Sequence, residues 1–170
     1  MQTSAELSFD PNAIFLPLLR TALQSALVAD PPFTPFTPFG RVANIEPTRD
    51  VCAMISLTGP VSVMLLFVFD HKLAWHFMQR EIAGLGMAET DDVMEAVLGE
   101  MANVVGGNAT AALAIADKEI HLSLPLIMRA VKLKPGISDV LIQRASLQVE
   151  AGVFDFYCIS PAVLGSLVAS

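Results

Sequence analysis

The stretch DDVMEAVLGEMANVVGGNATAAL, residues 91–113, carries the pattern from which the fold of this chain is predicted. Asp92 and Glu95 stand three positions apart, as in a capping box, and helix-forming residues continue to about Ala116. The spacing therefore predicts a long helix. Its apolar positions share one side at about 100° per residue, and that stripe, typical of a helix packed on a sheet, comprises Met94, Leu98, Met101, Val105, Ala109 and Ala112.

The other side of this helix carries two polar residues, Glu100 and Asn103, among small ones. Ala96, Gly107 and Ala111 fall within about 60° of Glu100 on a helical projection. Exposed helical faces usually carry long, flexible side chains, whereas this face would let another molecule approach closely. We therefore consider it a candidate docking face.

The two consecutive glycines leave a simpler alternative open. Gly106 and Gly107 could end the helix at Val105, because glycine inside a helix costs about 1 kcal/mol relative to alanine. Glu100 and Asn103 would then be ordinary solvated residues.

The segments on either side of the long helix predict one α+β (mixed α/β) domain over residues 1–170. Two long helices would pack on a β-sheet of antiparallel hairpins, since the element order is not a βαβ array. The predicted helices are an opening one from Asp10-Pro11 to about Val28, bent near Pro17, a short one at Lys72–Ile82 capped by Asp70, and the long one. The predicted strands are Val42–Ile45, Val51–Leu57, Val61–Phe69, Ile120–Leu126, Val140–Gln148 and Val153–Ile159, with a loop at Pro135-Gly136.

The segment PPFTPFTPFG, Pro31–Gly40, repeats proline, phenylalanine and threonine. Proline lacks the backbone donor that a central strand needs, so the segment reads as an extended linker or sheet edge whose phenylalanines anchor it to the core. Two alternatives remain: a proline-rich ligand for another domain, or the lid of a small-molecule sensor with an apolar pocket.

Composition excludes several classes of function. The net charge is −7 with only ten scattered Lys and Arg, which argues against nucleic-acid binding. Val51–Phe69 is uncharged and about long enough to span a membrane, but its central Thr58-Gly59-Pro60 favours a hairpin. The start, MQTSAELSFD, lacks the features of a signal peptide, so we expect a cytoplasmic protein without a membrane span.

No pattern of metal ligands or of a conventional nucleophile is present. Cys52 and Cys158 are far apart and are expected to be reduced, buried thiols. His71 and His76 have no partner at ligand spacing and read as core or surface residues. We therefore expect no cofactor of the protein's own.

The string GEMANVVGGNATAAL, with the preceding DDVMEAVL, resembles the signature helix of the CheX/CheC family of chemotaxis phosphatases. The family pattern is Asp/Ser-x-x-x-Glu-x-x-Asn, commonly followed in CheX-like members by Gly-Asn-Ala. The matching residues are Glu100, Asn103, Gly107, Asn108 and Ala109; Ala96 departs from the pattern, where the family has Asp or Ser. Looser similarity extends over nearly the whole chain, and the single signature helix makes CheX a closer match than CheC, whose members tend to carry two.

This resemblance implies a continuous helix and a phosphatase that hydrolyses the aspartyl phosphate of a CheY-like response regulator. Asn103 would place the attacking water and Glu100 would pair with the regulator's active-site lysine, while Ala96, Gly107 and Ala111 would leave room for the partner. Asn108 would be a structural hydrogen-bonder.

The resemblance also implies that Mg²⁺ lies on the regulator, that the protein is a homodimer formed by strand pairing, and that Ala96 weakens activity. The alternative is a non-catalytic CheX-like binding module for a regulator or a flagellar-switch component, since the middle domain of the switch protein FliM shares this architecture.

Overall fold

The computed structural model describes residues 10–27, 36–46, 50–113, 119–129 and 139–161. The chain forms α1 (Pro11–Leu27), β1 (Gly40–Val42), β2 (Val51–Thr58), β3 (Val63–Phe69), α2 (His71–Glu81), α3 (Asp91–Ala112), β4 (His121–Leu122), β5 (Leu126–Arg129), β6 (Val140–Val149) and β7 (Gly152–Pro161). The α+β prediction is confirmed.

The strands of the described residues form one antiparallel sheet in the order β1-β6-β7-β3-β2-β4, with β5 also paired to β2. Its centre consists of two hairpins, β2–β3 and β6–β7, joined by pairing of β3 with β7. In the first turn Gly59 has φ +138°, and a Cβ there would lie 2.5 Å from the Glu119 carbonyl oxygen. The uncharged stretch 51–69 is thus the hairpin that its central glycine predicted.

The main core lies between the three helices and one face of the sheet. The alternation of β3 and β7 turns Leu65, Phe67 and Phe156 toward the helices, while Leu66 and Tyr157 belong to a smaller cluster on the other face. Within the described residues, no helix is both long and apolar enough to cross a bilayer.

The described part of the Pro/Phe segment is anchored to this core, as expected of a sheet edge. Phe36 and Phe39 are buried, and Phe39 meets Phe156 edge to face with ring centroids 5.6 Å apart. The amide of Thr37 donates to the carbonyl oxygen of Ser146 in β6 at 2.9 Å. Residues 31–35 lie outside the described residues.

Four of the six predicted strands agree with the structure to within two residues at each end, and two do not. The predicted strand Val42–Ile45 is instead β1 at Gly40–Val42, because pairing with β6 uses those residues. The predicted strand Ile120–Leu126 is two short strands, β4 and β5, which pair with different parts of β2 and are separated by residues 123–125. Pro125, which cannot donate to a sheet ladder, lies in this break. The predicted Pro135-Gly136 loop lies outside the described residues.

Asp70 is the N-cap residue of α2, as predicted, but its side chain makes no capping hydrogen bond. Its Oδ2 accepts from the backbone N–H of Val153 at 2.7 Å, tying α2 to the start of β7. The first amide of the helix, on His71, donates to Asp50 Oδ2 at 2.9 Å. In place of a side-chain capping bond, the start of α2 therefore has two contacts that only the tertiary fold brings together.

Candidate functional site

The candidate site lies on α3, and the start of that helix differs from the prediction. Thr90 is the N-cap, and its hydroxyl accepts a hydrogen bond from the N–H of Val93 at 3.3 Å. Asp91 and Asp92 then occupy the first turn, where carboxylates interact favourably with the positive end of the helix dipole. The predicted Asp92–Glu95 capping box was wrong by two positions, because the threonine hydroxyl takes the capping role.

Ion pairs tie this end of α3 to strand β5. Arg129 Nε lies 2.7 Å from Glu95 Oε1, and Arg129 Nη1 lies 3.0 Å from Asp91 Oδ2. Hydrogen bonding from Arg129 lowers the pKa of Asp91, with His71 a weaker neighbour at 3.6 Å. Such surface pairs contribute little stability individually, but one guanidinium here bridges two carboxylates of α3 to the strand.

The helix runs without interruption through Gly106 and Gly107 to Ala112. The N–H of the C-cap residue Leu113 donates to the carbonyl oxygen of Ala109 at 2.9 Å. The alternative of a break at Val105 is therefore wrong, and the predicted end at Ala116 was four residues too late.

The two glycines serve different purposes. A Cβ on Gly106 would lie 2.7 Å from Leu122 Cδ1 and 3.3 Å from Ile55 Cδ1, so this glycine permits close packing of α3 on the sheet. A Cβ on Gly107 would meet nothing within 4 Å. The fold thus accounts for Gly106 and leaves Gly107 without a packing reason.

The predicted apolar stripe is buried except at its end. Met94, Leu98, Met101, Val105 and Ala109 are all at most 5% exposed. Ala112, the last residue of the helix, is exposed instead.

The opposite face presents the five site residues predicted from sequence. Glu100, Ala96, Gly107 and Ala111 are exposed, and Asn103 is partly buried. Glu100 and Asn103 are separated by about 60° and about 4.5 Å along the axis, from helical geometry. Within the described part of the chain, neither side chain makes a hydrogen bond or ion pair, so the amide and the carboxylate are available to another molecule.

A groove next to Glu100 was not predicted from the sequence. It has a volume of about 440 Å³ and lies between α1, the end of α2 with its following loop, and α3. Its floor includes Phe77 and Met101, and its edge carries three exposed apolar side chains, Leu85 (66%), Met87 (49%) and Val104 (48%). The signal available in the sequence was Gly84-Leu85-Gly86, an apolar residue in a glycine turn where no core contact is expected.

Asn108 also lines this groove and is exposed, and within the described residues its side chain has no hydrogen-bond partner. The prediction of a structural hydrogen-bonder at Asn108 was therefore wrong. Its position about 80° from Glu100 turns it toward α1, where an open groove replaces the expected packing.

The remaining reactive side chains lie away from this face. Cys52 and Cys158 are unpaired and buried, as predicted, and burial raises the pKa of both thiols, that of Cys52 to about 12. His71 is exposed and stacks on Trp75 with ring centroids 5.9 Å apart. Among the described residues no three His, Cys, Asp or Glu side chains cluster so as to hold a metal ion.

Solved structures with the same fold were found in several organisms. A CheC-like superfamily protein from Shewanella sp. PV-4 aligns with a TM-score of 0.70 at 17% identity, covering 91% of this chain and 99% of that one. CheX in the CheX-CheY-BeF3-Mg²⁺ complex from Borrelia burgdorferi aligns at 0.67 and 18% identity, covering 90% and 99%. The FliM middle domain from Vibrio alginolyticus aligns at 0.54 and 11% identity, covering 94% and 96%.

At these identities the structural matches establish the fold alone. A comparison with curated protein sequences gave no significant match. The family model described as "Chemotaxis phosphatase CheX" matches residues 51–138, which is more than half of the chain and includes all of α3. This chain therefore belongs to the CheX family of chemotaxis phosphatases.

Proposed function

We propose that this protein hydrolyses the aspartyl phosphate of a CheY-like response regulator by placing the Glu100/Asn103 face of α3 in the regulator's active site. The observation that carries the proposal is the uninterrupted helix, which presents an uncommitted carboxylate and amide among small residues. The CheX relative from Borrelia burgdorferi, solved with CheY, beryllofluoride and Mg²⁺, supports a partner of this kind.

Asn103 is assigned to the attacking water. A side-chain amide can accept a hydrogen bond through its oxygen and donate through its nitrogen, so one group can orient a water beside the phosphorus. The water oxygen bonds to phosphorus as the bond from phosphorus to the aspartyl oxygen breaks, giving inorganic phosphate and the free carboxylate. Because orientation alone can lower such barriers substantially, no side chain of this protein needs to become a nucleophile.

Glu100 is assigned to orientation of the partner. It is exposed about one helical turn before Asn103, where it can pair with the lysine of the regulator's active site. A charged pair that loses water on docking fixes register as well as adding affinity. Mg²⁺ is expected on the regulator, where it would neutralise the phosphoryl oxygens, and this protein would bring no cofactor of its own.

Ala96, Gly107 and Ala111 are assigned to close approach. All three are exposed, and the space around Gly107 is open, so a regulator loop can lie against the helix backbone. The methyl group of Ala96 cannot supply the hydrogen bond that an Asp or Ser would offer at this position. We therefore expect a lower turnover than in family members with the full pattern.

The test is release of inorganic phosphate from a response regulator that a small-molecule phosphodonor keeps phosphorylated. Asn103→Ala should lower kcat by at least about a hundredfold, as loss of positioning does, while binding to the beryllofluoride form of the regulator persists. Glu100→Gln should mainly raise KM. Asn44→Ala and Glu150→Gln, exposed residues of the same types away from α3, serve as matched controls.

The enzymatic proposal would be refuted if this protein did not increase the rate of phosphate release over that of the phosphorylated regulator alone. The comparison should cover the regulators of the same cell. Tight binding with an unchanged phosphoryl lifetime would favour a second candidate, a non-catalytic module that binds a regulator or a flagellar-switch component. Ala96 and the fold shared with the FliM middle domain are the observations on its side.

We also propose a homodimer formed by strand pairing. Within the described residues, β5 is paired to β2 on one side, and its Leu126 is half exposed, so this edge offers both backbone groups and apolar area to a second copy. Light scattering that finds only monomer would contradict this.

A further inference from the structure

The groove between α1 and α3 adjoins the Glu100/Asn103 face, and Glu100 belongs to both. Its floor is preformed by buried side chains of α2 and α3, Phe77 and Met101 among them. A volume of about 440 Å³ is ample for one or two side chains of another protein. A molecule docked on Glu100 would therefore also cover this groove.

The edge of the groove carries several exposed apolar side chains. Leu85 is 66% exposed and Met87 49% exposed, in the loop between α2 and α3, and Val104 of α3 is 48% exposed opposite them. They are three of the six large hydrophobic side chains that are exposed among the described residues, and they line one concavity. Apolar groups concentrated in this way typically mark an interaction site.

Among the described residues, the charged side chains that line the groove are all acidic. Glu81, at the end of α2, and Glu100 are both exposed and line it, whereas no Lys or Arg of the described residues does so. An occupant that matches this lining would carry an apolar side chain with a lysine or arginine beside it. This complementarity favours a protein segment over a neutral small molecule.

We infer that this groove is an anchoring subsite for the response regulator, which inserts an apolar side chain flanked by a basic one while its phosphorylated aspartate faces Asn103. This inference rests on the proposed function and adds to it a second contact region on the same partner. The groove would contribute affinity and partner selection, and it would leave the chemical step to the Glu100/Asn103 face.

The test compares a double variant, Leu85→Ser with Met87→Ser, with the matched control Met64→Ser. Met64 is an exposed methionine on the sheet face away from the helices. We expect the double variant to raise KM for the phosphorylated regulator about tenfold or more, as loss of a central apolar anchor does, with kcat unchanged within a factor of two. Met64→Ser should match the wild type.

A second variant, Glu81→Lys, checks the charge requirement without removing apolar area. A lysine at the C-terminal end of a helix is favourable for the helix dipole, so α2 should remain folded. This variant should also raise KM, because the basic residue of the partner would then meet a like charge. Circular dichroism and the Kd for the beryllofluoride form of the regulator accompany each kinetic measurement.

The outcomes separate this inference from the function on which it rests. If the wild type hydrolyses the aspartyl phosphate and both groove variants have the same KM as the wild type, the anchoring subsite is overturned. The proposed phosphatase activity is then unaffected. If the wild type binds the regulator but does not hydrolyse its aspartyl phosphate, the variants are compared by Kd. The double variant is then expected to bind about tenfold more weakly than the wild type, and an unchanged Kd overturns the anchoring subsite. A wild type that neither binds nor hydrolyses overturns the proposed function and this inference with it, and an equal loss in Met64→Ser overturns the anchoring subsite.

Discussion

Replacing Gly106 and Gly107 of α3 singly by alanine should separate the two reasons for which these consecutive glycines are present. Both substitutions gain helix propensity, about 1 kcal/mol per residue in favour of alanine. At Gly107 the new methyl group meets nothing within 4 Å, so Gly107→Ala should raise the free energy of unfolding by about 0.5–1 kcal/mol.

At Gly106 the same methyl group meets Leu122 Cδ1 at 2.7 Å and Ile55 Cδ1 at 3.3 Å. Overpacking of this kind costs about 1–3 kcal/mol. Because the propensity gain is common to both variants, the difference between them isolates the packing cost. Gly106→Ala should be less stable than Gly107→Ala by about 1–3 kcal/mol.

Urea unfolding followed by the fluorescence of Trp75, the one tryptophan, measures both values, and equal m-values would confirm that the compactness of neither end state has changed. Equal stabilities of the two variants would refute the reasoning. Leu122 would then be free to move aside, and the close packing of α3 on the sheet would not be what requires Gly106.

Three further predictions concern other positions. Ala96→Asp should raise kcat toward the regulator if the site acts as proposed, and an unchanged rate of phosphate release would remove Ala96 as the cause of weak turnover. Thr90→Ala should lower the free energy of unfolding by about 1 kcal/mol, because α3 loses its N-cap, whereas Thr90→Ser should retain it; equal urea midpoints would contradict this capping role. Cys52 and Cys158 should be unreactive toward a thiol reagent at pH 8 in the native protein and reactive in urea. Since burial raises the pKa of Cys52 from its ordinary 9.0 to about 12, the folded state favours the neutral thiol and the free energy of unfolding should fall as pH rises above about 9; an unaltered pH profile in Cys52→Ala would count against this.

Most of the features that were predicted correctly from the sequence follow from its local periodicity. The buried stripe from Met94 to Ala109 and the exposed face around Glu100 follow from the helical repeat alone, since every residue of a helix is placed relative to its neighbours by about 100°. The hairpin at Thr58-Gly59-Pro60 is similarly local. These features could be predicted because they depend on contacts between residues close in sequence.

Contacts between distant residues decided the rest. Asp70 is the N-cap residue of α2, but its carboxylate accepts a hydrogen bond from the distant amide of Val153 and makes no capping bond. The local sequence predicts one strand at Ile120–Leu126, but two short strands, β4 and β5, pair with separate parts of β2. Neither of these long-range pairings can be predicted from the local sequence.

The sequence by itself determined that Glu100 and Asn103 share a helical face, because the helical repeat requires only that the helix be continuous. Only the tertiary structure decided that the helix is continuous through Gly106 and Gly107, and it also placed Leu122 Cδ1 2.7 Å from where a Cβ at Gly106 would lie. The groove beside Glu100 likewise exists only where α1, the loop after α2 and α3 converge. A concavity between segments far apart along the chain has no local signature, because its walls are set by how the helices pack and not by the propensities of the residues that line it.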